Sequence, residues 1–166
     1  MTLQVRARLA ARIRGFYAIL DADDEGLAAA LVDPAGCAAP VLQVRLKHAR
    51  TSELLAAAQM ARRVTRAANA LLIVNDRLDV ALAADADGVH LGQDDLPIEL
   101  ARRVASGLQV GVSSHSPAEF VAALATDADY VAVGPVFATS SKADAAPVVG
   151  LATLRSLCAA APCLLY

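Results

Sequence analysis

The sequence predicts an α/β fold of the (β/α)8 TIM-barrel type, incomplete, with about six strands plus the start of a seventh. Three observations predict it. Apolar, β-branched runs alternate with helical stretches along the whole chain. Hydrophobic residues make up 57% of the 166 and charged ones only 19%, so many segments must be covered on both faces, as in a parallel sheet wrapped by helices. Polar residues gather at the end of nearly every run, which suits a barrel whose site is assembled from all the strand ends at one face. The length fits one domain, residues 1–166.

Taken in order, the chain opens with Met1 to Gly15, Arg-rich and free of acids, with Leu3, Val5, Leu9 and Ile13 at helical spacing. This stretch is either a leading helix packed under the domain or a transit-peptide-like segment. Strand patterns follow at "FYAILD" from 16, "PVLQVRLK" from 40, "LLIVND" from 71, "GVHLGQ" from 88, "LQVGVS" from 108 and "YVAVGPV" from 130. Between them, Thr51 to Ala68 carries Leu54, Leu55, Ala58, Ala61 and Val64 on one helical face, and Pro117 to Thr126 reads the same way. Asp79 to Ala84 and Pro97 to Ala105 predict two short helices, Pro97 being suited to a first helical turn. No G-x-G-x-x-G follows the first strand, so the doubly wound dinucleotide fold loses its main support. A seventh strand starts at Pro162 and the sequence ends at Tyr166. Six strands and a stub leave open edges and an uncovered interior, and the expectation is a homo-oligomer covering the open barrel, or else swapped elements or an altered fold.

Composition narrows the function. A net charge of −2 provides no basic field for nucleic acid or an anionic membrane, and no apolar run approaches a membrane span. A small-molecule ligand is expected. Cys37, Cys158 and Cys163 are odd in number and lack ligand spacing, which argues against a disulfide framework and a zinc site and makes a cytoplasmic location the default.

Four clusters carry chemistry. In "QVRLK", Gln43, Arg45 and Lys47 share one strand face while Leu42, Val44 and Leu46 share the other. Two cations and an amide facing a barrel interior need an anion, and Arg with Lys matches phosphate or pyrophosphate; the alternative is an edge strand with its cations turned to water. Asp76 and Asp95 each follow a strand, one βα repeat apart, which brings two carboxylates to adjacent strand ends. Beside a pyrophosphate they suit Mg²⁺, which takes one or two carboxylates plus substrate oxygens; the alternatives are an N-cap at Asp76 and a turn or cap before Pro97. Asp79 and Asp94 read as surface residues. "GVSSHS" places Ser113, Ser114 and His115 after the fifth strand, where hydroxyls and N–H groups can hold phosphate, Ser116 can cap a helix, and His115 can act as acid or base. "GPVFATSSK" adds Thr139, Ser141 and Lys142 on a polar loop that could form the other jaw of an anion clamp.

Together, "QVRLK", "NDRLDVALAADADGVHLGQDDLP", "GVSSHS" and "GPVFATSSK" resemble the successive motifs of the thiamine phosphate synthase family, in order from about residue 16 to the end. The resemblance implies a (β/α)8 barrel that joins a hydroxymethylpyrimidine diphosphate to a thiazole phosphate, expelling pyrophosphate through a pyrimidine cation with Mg²⁺ stabilising the departing group. It implies that Gln43 contacts the pyrimidine or its diphosphate. Arg45, Lys47, Asn75, Ser113 and Lys142 would grip the diphosphate, Asp76 and Asp95 the metal, and Thr139 and Ser141 the thiazole phosphate. Lys142, Arg45, Ser113 and His115 are the candidate catalytic groups. A tautomerase branch of the same family, using a histidine placed like His115, is an alternative enzyme, and a non-catalytic phosphate-ligand-binding or regulatory member is another.

Two substitutions depart from the family pattern: Leu46 stands where Glu is usual, and Ser141 replaces the usual Thr. The glycine-rich phosphate loop after the seventh strand and the eighth strand are not in the sequence, so the thiazole-phosphate pocket is expected to need completion by another subunit.

Overall fold

The computed structural model describes residues 12–138, 146–160 and 164–165. Seven parallel strands lie in sequence order: β1 (Tyr17–Leu20), β2 (Val41–Val44), β3 (Leu71–Asn75), β4 (Gly88–Leu91), β5 (Gln109–Ser114), β6 (Tyr130–Val133) and β7 (Leu164–Leu165). The crossovers are α1 (Glu25–Val32), α2 (Thr51–Ala67), α3 (Leu78–Ala83), α4 (Ile98–Val104), α5 (Pro117–Leu124) and α6 (Gly150–Ala160). The expected seventh strand is thus present and pairs with β6, while its proposed start at Pro162 lies outside the described residues. Of the leading segment only Arg12 onward is described, and Ile13 is fully buried against Val41, Leu71, Ile73 and Tyr130.

Strand alternation divides the core in two. Outward-facing Leu42, Val44, Leu72, Val74, Val89, Leu91, Val110 and Val112 pack under the helices. Inward-facing Tyr17, Val41, Leu71, Ile73 and Tyr130 form a smaller cluster on the other face. The sheet curls strongly. Neighbouring strands sit about 4.8 Å apart, so β1 and β6 in a flat sheet would be roughly 24 Å apart. Yet the hydroxyls of Tyr17 on β1 and Tyr130 on β6 are 2.9 Å apart, which only a barrel-like curl permits. Gly111 makes room for this: a Cβ there would lie 2.0 Å from Cζ of the Tyr130 ring. On the edge strand β1, the inward-facing Ile19 is 52% exposed.

Two ion pairs, one part-buried and one buried, fasten the strand starts. Asp87, just before β4, accepts from the Leu72 amide and from Arg62 of α2, at 2.8 and 2.7 Å. Asp129, just before β6, accepts from the Val110 amide at 2.8 Å and from Arg102 of α4. The pattern D-A-D-x-V-x-x-G occurs at 85–92 and again at 127–134, so the two clamps are one device used twice. It lies at the face where barrel residues serve stability.

Helix starts follow local chemistry. Asp24 caps α1 by accepting from the Leu27 amide, and Ser116 caps α5 by accepting from Glu119, as expected of Ser116 before Pro117. Two starts differ by one residue from expectation: α3 begins at Leu78, and Pro97 is the N-cap of α4 rather than its first residue. Pro97 has φ −54 and ψ 142, an extended ψ that leaves Ile98 to open the helix.

Candidate active site

The C-terminal strand ends open into a cavity of about 690 Å³. Of the residues expected there, Arg45, Lys47, Asn75, Asp76, Asp95, Ser113 and His115 all line it. Asp94 lines it too, though the sequence marked it as plain surface. Gln43 sits deeper: it is 3% exposed and its Nε2 donates to the Tyr17 hydroxyl at 2.9 Å. Thr139, Ser141 and Lys142 lie outside the described residues.

Each lining group is set by its strand. Past β2, the Arg45 amide still donates to the Leu20 carbonyl at 2.9 Å, which carries the strand's alternation one residue further and turns Arg45 to the inner face. Leu46 packs outward against the helical core, so the position where the family usually has Glu is a packing position here. Neither Arg45 nor Lys47 forms an ion pair among the described residues.

Asp76 has φ +63 and lies between Asn75, whose carbonyl accepts, and Arg77, whose amide donates at 2.7 Å, so it is the centre of a three-residue turn. Left-handed backbone of this kind is costly for most side chains and tolerated best by Asp, Asn and Gly. The Asp76 amide also donates to the His90 carbonyl at 2.8 Å, which pins the turn against β4. The N-cap alternative for Asp76 is not realised, because Arg77 is the N-cap of α3. Asp95 does close a turn, accepting from the Gly92 amide at 2.6 Å, and the same carboxylate reaches the cavity.

Burial and the neighbouring Asp95, through its charge and side-chain hydrogen bonding, push the Asp76 carboxyl up to about 6; Lys47 and Arg45 pull the other way but are outweighed. Two acids that repel at neutral pH call for a cation. Among the described lining residues, four carboxylates (Asp76, Asp94, Asp95, Glu119) face two fixed cations (Arg45, Lys47), so carboxylates outnumber fixed cations there. Among the described residues no group of three or more His, Cys, Asp or Glu side chains could hold a metal on its own. A carboxylate pair with room for ligand oxygens fits Mg²⁺, which keeps waters and borrows oxygens from its substrate.

On the next strands, His90 is 7% exposed, with Nε2 2.9 Å from the Ser113 hydroxyl and Nδ1 3.1 Å from the Tyr130 hydroxyl. Burial pushes its imidazole down to about 4 despite the field of Asp95, so the ring is neutral at physiological pH. Gln43, Tyr17, Tyr130, His90 and Ser113 therefore form one hydrogen-bonded chain across the interior. Sequence reasoning missed it: Tyr17, Tyr130 and His90 fall within the strand patterns and were not singled out. The available signal was inward parity, shared by Tyr17, Gln43, His90, Ser113 and Tyr130. His115 stands apart at the mouth, its amide donating to Glu119 at 2.8 Å and its Nδ1 3.3 Å from the same oxygen.

A curled parallel α/β sheet with its polar groups gathered past the C-terminal strand ends defines a protein of the TIM-barrel-like class. The chain belongs to the thiamine monophosphate synthase family, whose model matches residues 16–166. It is 52% identical over 119 residues to a thiamine-phosphate synthase of Chloroflexus aurantiacus, covering 72% of this chain and 55% of that protein. It is 46% identical over 149 residues to a thiamine-phosphate synthase of Methanocella arvoryzae, covering 85% and 70%. A solved structure, thiamine phosphate pyrophosphorylase from Pyrococcus furiosus, superposes with a TM-score of 0.81 at 37% identity over 95% of this chain and 75% of that one. The chain thus spans little more than half the length of the Chloroflexus relative. Both of these relatives carry the name of the synthase and neither that of a tautomerase. Among the described residues no helix is long and apolar enough to cross a membrane.

Proposed function

We propose that this chain carries the diphosphate half of a thiamine-phosphate synthase site, in which a pyrimidine diphosphate gives up pyrophosphate and a thiazole phosphate takes its place. The observation that carries the reading is the meeting of Arg45, Lys47, Asn75 and Ser113 with the facing pair Asp76 and Asp95 in one cavity. The names of the relatives agree with it.

Arg45 offers a planar fork and Lys47 a compact charge to the diphosphate oxygens. Asn75 and Ser113 add neutral donors from the adjacent strand ends. These groups stand in place before the bond to carbon breaks, and their attraction grows as charge gathers on the leaving diphosphate. Mg²⁺ held between Asp76 and Asp95 would supply further neutralisation of that charge. Gln43, through Tyr17, sits below the diphosphate and faces the pyrimidine side. Lys142 joins the diphosphate clamp, Thr139 and Ser141 receive the thiazole phosphate, and His115 at the mouth is available for proton transfer.

The single domain spans residues 1–166, and the exposed inward face at Ile19 is covered by a second copy, in the cytoplasm. Light scattering tests this, and a monomer in solution would refute it. Turnover of the two phosphorylated substrates with Mg²⁺ tests the reaction. Product is expected from the unaltered chain and not from Asp76→Ala or Asp95→Ala, whereas no product above background from any of them ends the synthase reading.

A further inference from the structure

From the chain of hydrogen bonds across the barrel interior, we infer that His90 is a positioning residue: held as the Nε2–H tautomer by Tyr130, it donates to Ser113 and thereby turns the Ser113 proton toward the ligand. This rests on the diphosphate reading of the site above.

A neutral imidazole has one donor and one acceptor nitrogen, and here both have hydroxyl neighbours, Ser113 at 2.9 Å and Tyr130 at 3.1 Å. Two arrangements satisfy the ring. In one, Nδ1–H donates to Tyr130 and Nε2 takes the Ser113 proton, so Ser113 shows the cavity only lone pairs. In the other, Tyr130 donates to Nδ1 and Nε2–H donates to the Ser113 oxygen, so the Ser113 proton is free to point outward. An anion is repelled by the first and bound by the second.

The far end of the chain fits the second polarity. The Gln43 amide nitrogen can only donate, so the Tyr17 oxygen accepts from it, and at the 2.9 Å contact between Tyr17 and Tyr130 either hydroxyl can be the donor. When Tyr17 donates there, Tyr130 can give its own proton to Nδ1. The backbone is shaped for this: without a glycine at 111 the Tyr130 ring could not occupy its place beside His90. His90 thus acts through Ser113 without touching the reacting atoms.

The experiment is nitrogen NMR of the histidine-labelled full chain with inorganic pyrophosphate and Mg²⁺, together with calorimetry on Ser113→Ala, Tyr130→Phe and their double variant. His90 is expected to show a protonated Nε2 and a bare Nδ1 when pyrophosphate is bound. Ser113→Ala should weaken pyrophosphate by about tenfold, ordinary for one hydrogen bond to a charged group. Tyr130→Phe, which keeps the ring, should weaken it severalfold, shift the His90 signature, and add nothing in the Ser113→Ala background. A merely structural Tyr130 would give additive losses and an unchanged signature. A protonated Nδ1 in the pyrophosphate-bound wild type, or additive losses, overturns the inference and leaves the diphosphate reading standing. If Tyr130→Phe does not fold, the wild-type tautomer decides. Absence of pyrophosphate binding by the wild type would remove the diphosphate reading, and this inference with it.

Discussion

Asp76 and Asp95, one residue past β3 and four past β4, stand close enough that Asp95 helps to push the Asp76 carboxyl up to about 6. In metal-free protein this is a cost carried at neutral pH. Asp76→Asn keeps a side chain that tolerates φ +63 and removes the like charge. It is expected to raise metal-free stability at pH 7.5 by roughly 1–2 kcal/mol, since partial exposure reduces the full linkage value. The same variant should lose the stabilisation that Mg²⁺ gives the wild type. Thermal melts with and without Mg²⁺ measure both, and an unchanged or lowered melting temperature in chelator would count against the coupling.

The pH dependence contains two opposed slopes. Asp76 has a folded pKa near 6, above its ordinary 3.8, so the folded state binds the extra proton and this contribution to stability fades as pH rises from about 4 to 6. His90 has a folded pKa near 4, below its ordinary 6.5, so the unfolded state binds the extra proton and stability rises with pH over nearly the same window. The wild type in chelator should therefore be nearly flat between pH 4 and 6.5. Asp76→Asn should expose the histidine slope, a rise of up to about 3 kcal/mol across that range. Urea midpoints at several pH values decide it.

Arg45 makes no ion pair among the described residues, and in the proposed site its charge serves the diphosphate. Arg45→Ala should change stability by less than about 0.5 kcal/mol, as for a surface-type change. It should weaken pyrophosphate binding with Mg²⁺ by at least about tenfold, and Arg45→Lys should recover only part, because an ammonium lacks the planar fork. Calorimetry and melting curves on the same samples separate the two effects.

Asp129→Ala works at the opposite end of the strands. It removes one of the two carboxylates beside the buried Arg102, which keeps Asp127 at 3.5 Å and the Asp127 and Leu108 carbonyls, and it removes the acceptor of the Val110 amide. The expected loss is about 2–3 kcal/mol, less than for a buried charge left wholly unpaired. In protein that stays folded at low temperature, pyrophosphate binding should be unaltered. A loss of binding with unchanged stability would contradict the division of roles between the two faces.

Much of this was legible beforehand because parity along a strand is strict. Knowing that Leu42 and Val44 face the helices places Gln43 and Arg45 inside without further information. The paired carboxylates were legible for a similar reason, since each follows a strand by a short, countable step. Depth was not legible: Gln43 and Arg45 share a face, yet one is sealed beneath Tyr17 and the other opens to the cavity, and this depends on how tightly the sheet curls. The interior hydrogen-bonded chain stayed hidden because its members come from β1, β2, β4, β5 and β6, and local pattern says nothing about which of those meet. The repeated Asp-Ala-Asp pattern was in plain view, but only the folded arrangement has its second aspartate holding a strand start on each occasion.

The fit between Gly111 and the Tyr130 ring carries a consequence for descent. A side chain at 111 can be tolerated only where 130 has already become small, and a chain with both changes has lost the hydroxyl beside His90. The two positions are therefore bound to drift as a pair, and a lineage that relinquishes one would be expected to show a rebuilt interior rather than a single tolerated replacement.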